Sequence, residues 1–116
     1  MREIILFIKD ILDSILAIGE YIKGKSQKEF LENRMIQDAV IRKFEIIGEA
    51  TKNIPKEFRE KYPKIIWKEF AGLRDVLIHS YFGADIERIW NAIEKDLPKL
   101  KENISKIIKE EDSKAK

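Results

Sequence analysis

The sequence predicts an all-α fold, an up-and-down bundle of four principal helices with short extra helices. Apolar residues recur at spacings of three and four along four long stretches, which is the periodicity of an amphipathic helix. Turn residues separate these stretches by short connections, so consecutive helices are expected to pack as antiparallel neighbours. The chain has 116 residues, of which 44% are hydrophobic and 38% charged, and this suits one domain with its own core.

The first long helix is predicted by isoleucines at alternating spacings of four and three. These are Ile4, Ile8, Ile11, Ile15, Ile18 and Ile22. Gly24 is a predicted helix stop, because glycine readily adopts the left-handed conformation found after helix C-termini. Ser26 and Glu29 have the spacing of a capping box, which indicates that a short helix begins there.

A second long helix is predicted from about Arg34 to Asn53, and two prolines follow it. Its apolar face is formed by Ile36, Val40, Phe44 and Ile47. The residue before a proline is disfavoured in the helical conformation. Pro55 and Pro63 therefore enclose a short segment, residues 56–60, that has room for one or two helical turns.

The third helix is predicted from about Lys64 to Ser80, and the fourth begins after Asp85 as its N-cap. Pro98 falls inside the fourth helix, where it should kink the helix or split it in two. Residues 110–116 have nothing to bury, so we expect them to form a frayed charged tail. The remaining residues, 1–109, are assigned to a single helical domain.

Charge and composition narrow the classes of function. The net charge is +2, from 23 basic and 21 acidic residues, so binding to RNA or DNA would need a local patch or a dimer. The chain has no cysteine, which excludes disulfides and thiolate metal sites. It has neither the uninterrupted apolar stretch of about 7–15 residues typical of a signal peptide nor the roughly 20 of a membrane span. We therefore expect a cytoplasmic protein that does not enter a membrane.

The third helix carries two apolar faces, one more than a simple bundle helix needs. The first consists of Ile66, Phe70, Leu73 and Leu77, and the second of Trp67, Ala71 and Ile78, about 100° round the helix. Two coverings for the second face remain open. One is another helix of the same bundle, such as the short insert, and the other is a second copy of the chain in a two-fold dimer.

The end of the third helix holds the residues best suited to chemistry. They are Arg74, Asp75, His79 and Tyr81, and His79 is the only histidine of the chain. Asp75 and His79 are four residues apart, so the carboxylate could orient the imidazole or form only a surface ion pair. A lone histidine at a helix end is more often structural than catalytic, so spacing alone leaves both roles open.

A dimer would remove a difficulty that one histidine presents for RNA cleavage. Attack by the neighbouring 2′-hydroxyl needs a base for that proton and an acid for the leaving 5′-oxygen. One imidazole, with a reference pKa of about 6.5, cannot do both at once. Two copies of His79 across a symmetric cleft would supply both groups, and two copies of Arg74 would stabilise the phosphorane. Within one regular helix Arg74 and His79 are roughly 140° apart, too far round for a tight pair.

The motif Arg-x4-His-x-Tyr at positions 74–81, in a small helical bundle, resembles the HepT-like toxins of the HEPN superfamily. The resemblance extends over most of the chain and includes residues 10–15, 39–50, 63–67, 79–85, 89–90 and 96–98. It implies a dimeric, metal-independent ribonuclease of a type VII toxin–antitoxin pair. It also implies that Arg74 and His79 are catalytic, that Asp75 is the polar residue that often follows the arginine, and that Tyr81 is adenylylated. The partner would be a minimal nucleotidyltransferase antitoxin, which silences the toxin by that modification.

Other residues of the chain suggest alternative sites and functions. Glu45 and Glu49 are four residues apart, but one histidine and no second carboxylate pair do not favour a metal site, and no cofactor is expected. Trp67 and Trp90 could stack on bases, although packing is favoured. The six basic residues within residues 52–68 form either a solvated face or an RNA-guiding patch. The alternative function is a non-catalytic regulatory subunit of a nucleotidyltransferase, and an inert helical scaffold is a third.

Overall fold

The structure is a computed structural model that describes residues 3–72 and 86–114, and all regular secondary structure in these two stretches is helical. The helices are α1 (Ile4–Ile22), α2 (Gln27–Glu32), α3 (Arg34–Asn53), α4 (Lys56–Glu60), α5 (described over residues 67–72), α6 (Ile86–Asn91) and α7 (Leu97–Lys114). A π-helical turn, Ala92–Asp96, joins α6 to α7. Within the described ranges no helix is long and apolar enough to cross a membrane.

The core lies between α1, α3 and α7, with α1 packed along both of the others. The middle of the predicted isoleucine face is buried, and Ile8, Ile11 and Ile18 are fully inaccessible to solvent. Val40 and Phe44 of α3 are equally inaccessible. The apolar periodicity therefore predicted the packed faces of the two longest helices before Pro55, and the all-α fold class is confirmed.

The helices begin and end at the residues that the sequence indicates, through local hydrogen bonds and backbone conformation. Gly24 has φ +74°, the left-handed conformation expected after a helix end. Ser26 Oγ accepts from the Glu29 amide at 3.1 Å, and the Glu29 carboxylate accepts from the Ser26 amide at 3.2 Å. Asn33 Oδ1 accepts from the Ile36 amide at 3.0 Å and caps α3. The capping box at Ser26 and the bounds of α3 are confirmed.

The start of the third predicted helix differs from the expectation. The sequence predicts a start at about Lys64, whereas α5 begins at residue 67. The Ile65 amide donates to the Tyr62 carbonyl at 3.2 Å, which closes a turn over Pro63 before the helix can start. This turn changes which side chains face inward: Ile65 is buried, and Ile66, expected in the core, is 42% exposed.

The interruption predicted at Pro98 is present as the π-helical turn. The Leu97 amide donates to the Ala92 carbonyl, five residues back. Proline has no amide hydrogen, and its ring clashes with the carbonyl four residues before it in a regular α-helix. Widening the preceding turn relieves that clash, so the apolar face continues through Ile93, Leu97 and Leu100.

The C-terminal end of the last helix differs from the expectation of a frayed tail. Helix α7 continues to Lys114, five residues into the segment predicted to fray at residue 110. The Tyr62 hydroxyl donates to Glu111 Oε1 at 2.9 Å and holds the last part of α7 against the turn before α5. Burial raises the pKa of the Tyr62 phenol, and the hydrogen bond to Glu111 raises it further, so Tyr62 remains a donor at neutral pH.

Candidate functional site

The four residues proposed to carry the chemistry, Arg74, Asp75, His79 and Tyr81, lie outside the described residues. The structure describes the chain on both sides of them. Helix α5 is described up to residue 72, two residues before Arg74, and α6 begins at Ile86. The site is therefore built here from the two helices that lead into and out of the motif segment, residues 73–85.

The helix that leads into the motif is held at its start by Trp67. The Trp67 indole is buried, and its Nε1 donates to the carbonyls of Arg59 and Tyr62, each at 3.1 Å. Phe70, one turn later, is also buried. Within the chain, α4 and the turn after it therefore cover the Trp67 end of the second apolar face, whereas Ile78 of that face lies outside the described residues.

The helix that leads out of the motif is held by Trp90. Trp90 of α6 is 5% exposed, and its ring centroid lies 5.2 Å from that of Phe30 in α2. The neighbouring Ile89 is also buried. Both tryptophans therefore pack inside the bundle, as the sequence favoured, and neither presents an open face for a base.

The carboxylate pair weighed as a metal site has a simpler environment. Glu45 Oε2 accepts from Arg42 Nη1 at 3.4 Å, and Glu49 is exposed. Within residues 3–72 and 86–114 no group of three or more metal-ligating side chains comes together. Glu45 therefore has an arginine of its own helix as partner. A contact with Arg74, the other role considered, lies outside the described residues.

A groove of about 550 Å³ opens at the corner between α4 and α5. Arg59, Lys56 and Lys68 line it together with the exposed side chain of Ile66. Arg59 Nε is buried and has no hydrogen-bond acceptor among the described residues. Sequence reasoning included Arg59 only in a general basic stretch. Nothing in the linear pattern marks its unsatisfied Nε, because that property arises from the packing of α4 against α5.

Comparison with known proteins identifies the class of this fold and motif. The family described as Ribonuclease HepT-like matches residues 11–107, a range that includes the whole of Arg74–Tyr81. The chain belongs to this HepT-like ribonuclease family, which confirms the resemblance seen in the sequence. No solved structure was found to match the chain.

Individual relatives agree with the family. A Methanocaldococcus jannaschii protein named "Gamma-glutamylcyclotransferase and putative RNase" is 52% identical over 111 residues, 96% of this chain but 50% of that protein. A second protein of that organism, named "Putative RNase", is 46% identical over 89% of this chain and 94% of its own length. A Thermococcus cleftensis protein, named "Probable ribonuclease HepT", is 43% identical with the same two coverages. The chain thus spans about half of the first relative and nearly all of the other two.

Proposed function

We propose that this chain is an endoribonuclease and the toxin of a toxin–antitoxin pair, acting on RNA in the cytoplasm. The observation that carries the proposal is the family match over residues 11–107, which includes the motif at positions 74–81. The names of the relatives, each an RNase or ribonuclease, support the same class of substrate. The buried contacts of Trp67 and Trp90 hold the described helices on either side of the motif in the bundle, as a site formed at the ends of these helices requires.

The proposed chemistry is metal-independent and uses two copies of the chain. One His79 removes the proton of the 2′-hydroxyl, and the His79 of a second copy protonates the leaving 5′-oxygen. The two Arg74 guanidinium groups stabilise the extra negative charge of the pentavalent phosphorane. Asp75, four residues before His79, would hold one tautomer of the imidazole. The products would be a 2′,3′-cyclic phosphate and a free 5′-hydroxyl, with one proton taken up and one returned.

The proposed regulation uses Tyr81. A minimal nucleotidyltransferase antitoxin would transfer AMP from ATP to the Tyr81 hydroxyl oxygen, with release of pyrophosphate and the hydroxyl proton. The adduct adds bulk and negative charge two residues from His79, and both oppose the entry of an RNA phosphate. A non-catalytic subunit of the same nucleotidyltransferase would carry the modification as well, so modification alone does not distinguish the two functions.

The decisive experiment is a cleavage assay on single-stranded RNA with purified protein in EDTA. We expect cleavage by the wild type, and a loss of activity of at least about 100-fold for Arg74→Ala and for His79→Ala, since each removes a catalytic group. Arg42→Ala, which removes an exposed arginine paired with Glu45, is the matched control and should retain activity. Activity that disappears in EDTA, or survives in His79→Ala, contradicts the mechanism.

The second arm of the experiment is mass spectrometry of protein made together with a nucleotidyltransferase encoded beside it. We expect AMP on Tyr81, none on Tyr81→Phe, and no cleavage by the modified protein. If modification occurs but the unmodified wild type never cleaves RNA, the chain is the non-catalytic subunit. If neither occurs, it is a scaffold.

A further inference from the structure

Three grooves meet at one exposed side chain on the surface that leads to the motif. Ile66, 42% exposed, lines the groove at the α4–α5 corner, a second of about 200 Å³ towards α7, and a third of about 170 Å³ towards α6. We name the surface formed by these three grooves the Ile66 track. Its lining includes Phe70 of α5 and Arg88 of α6, the two helices that lead into and out of the motif in sequence.

The Ile66 track is far more basic than the rest of the chain. Its three grooves are lined by seven lysines and arginines against three carboxylates, a net charge of +4, whereas the whole chain carries +2. The remainder of the chain is therefore net negative. The near balance of the overall composition conceals this separation of charge, which only the fold reveals.

Arg59 has an unsatisfied hydrogen-bond donor in the wall of the track. Its Nε is buried in the groove wall with no acceptor among the described residues. A buried donor without a partner destabilises the folded chain. Arg59 also lines the groove, which places its positive charge beside a phosphate that enters there. Trp67 donates to the Arg59 carbonyl, which fixes the backbone of Arg59 relative to the start of α5.

The other cations continue the track away from Arg59. Lys68 and Lys56 share its groove, and Lys56 also lies 3.9 Å from Glu60. Lys95 lines the groove beside α6. Cations spaced along an open groove around an exposed apolar side chain fit a single-stranded polyanion whose bases have apolar faces.

We propose that the Ile66 track binds single-stranded RNA, with Arg59 holding one phosphate and Ile66 contacting a base, and delivers the strand to the motif. The inference rests on the proposed ribonuclease function and adds the path of its substrate. An acidic surface of a protein partner is the competing occupant. Such a partner would match the charge of the track, but Ile66 would then make no contribution to the affinity for RNA.

The test measures binding of a labelled oligouridylate by fluorescence anisotropy over a range of salt concentrations, in the His79→Ala background so that the RNA stays intact. The track variant is Arg59→Gln with Lys95→Gln. The control is Arg42→Gln with Lys114→Gln, which removes the same charge from two residues ion-paired on α3 and α7. Circular dichroism of each variant establishes that the helices are retained.

We expect the track variant to weaken binding by roughly tenfold or more, and to lower the slope of log affinity against log salt by about 1.4, since a phosphate contact on a single strand contributes about 0.7. The control should keep the wild-type slope. Arg59→Lys should keep most of the slope, because a lysine still neutralises the phosphate. Ile66→Ser should weaken binding several-fold at every salt concentration with the slope unchanged, since the contact it removes is apolar.

Four outcomes would overturn the proposal. If the control weakens binding as much as the track variant, the effect is that of net charge. If the wild type cleaves RNA while the track variant binds it normally, the track is wrong and the proposed function stands. If the wild type neither binds nor cleaves RNA, the proposed function fails as well. Loss of a bound protein partner by the track variant, with RNA affinity intact, assigns the track to that partner.

Discussion

Trp67 joins the turn after α4 to the start of α5 through a single side chain. Its Nε1 contacts two carbonyls, and each carbonyl also accepts a backbone amide: Arg59 from Tyr62, and Tyr62 from Ile65. Loss of the indole would therefore leave neither carbonyl wholly unpaired. The contribution of Trp67 is the positioning of α5, together with the burial of its ring.

This position leads to a prediction for Trp67→Phe. The variant loses two hydrogen bonds and part of a buried ring, and we expect the free energy of unfolding to fall by about 1–3 kcal/mol. Urea denaturation at fixed protein concentration measures it. Tyr21→Phe, at an exposed aromatic residue, is the control and should change stability by less than about 0.5 kcal/mol. An unchanged midpoint in Trp67→Phe would contradict the positioning role.

The sequence predicted individual residues well where local chemistry decides the outcome. Gly24 and Ser26 act through hydrogen bonds and dihedral angles within a few residues, and both were placed correctly. Ile66 was placed wrongly, because the turn over Pro63 changes the direction of the side chains that follow it. The unsatisfied Nε of Arg59 could not be foreseen, since it depends on how two helices pack.

At the scale of helices, caps separate elements that would otherwise merge. Only four residues, 23–26, lie between α1 and α2, and only Asn33 lies between α2 and α3. Gln37 assists from within α3, where its Nε2 donates to the carbonyls of Phe30 and Leu31 and satisfies the C-terminal end of α2. The hydrogen bond from the Ser26 amide lowers the pKa of Glu29, so this carboxylate stabilises the capped helix above its ordinary pKa and ceases to do so as the pH falls through the lowered value.

The prediction at this scale concerns the capping box. Ser26→Ala removes the acceptor of the Glu29 amide, and we expect a loss of about 1 kcal/mol in the free energy of unfolding, the usual cost of an N-cap. Thermal and urea denaturation both report it. Ser113→Ala, at an exposed position inside α7, is the matched control and should be neutral or slightly stabilising. Equal effects of the two substitutions would show that the cap contributes nothing.

Periodicity and local end signals predicted the bounds of α1 and α3, whose apolar faces are buried, and the flanking prolines predicted those of α4. The end of α7 escaped prediction because its cause is a contact between residues 49 positions apart, Tyr62 and Glu111. The π-helical turn was foreseen only as an interruption at Pro98. Its form depends on keeping Ile93 and Leu97 on one buried face.

At the scale of the whole molecule, the proposed chemistry requires two copies of the chain at one active site. If catalysis uses one His79 as base and another as acid, a dimer with a single intact His79 is inactive. A symmetric dimer presents the same surface from both copies, so each contributes the same residues to a shared cleft. The activity of a mixed sample is then proportional to the fraction of dimers in which both chains are intact.

Mixing wild-type and His79→Ala chains by co-refolding tests this requirement. At equal amounts and a fixed total concentration, we expect about a quarter of the wild-type activity, because random pairing makes only that fraction of dimers fully intact. A site contained in one chain would give about half. Mixing the wild type with Arg42→Ala should leave the activity undiminished and serves as the control.

The hydrogen bond between Tyr62 and Glu111 joins two residues that stand on opposite sides of the motif in the sequence. It closes a loop that contains residues 63–110, and the Arg74–Tyr81 motif lies inside that loop in sequence. Closing a loop of this length restricts the distances its interior can span, and the entropic cost grows only slowly with the number of residues enclosed. The contact therefore ties the turn before α5 to the last part of α7 across the stretch of sequence that holds the motif.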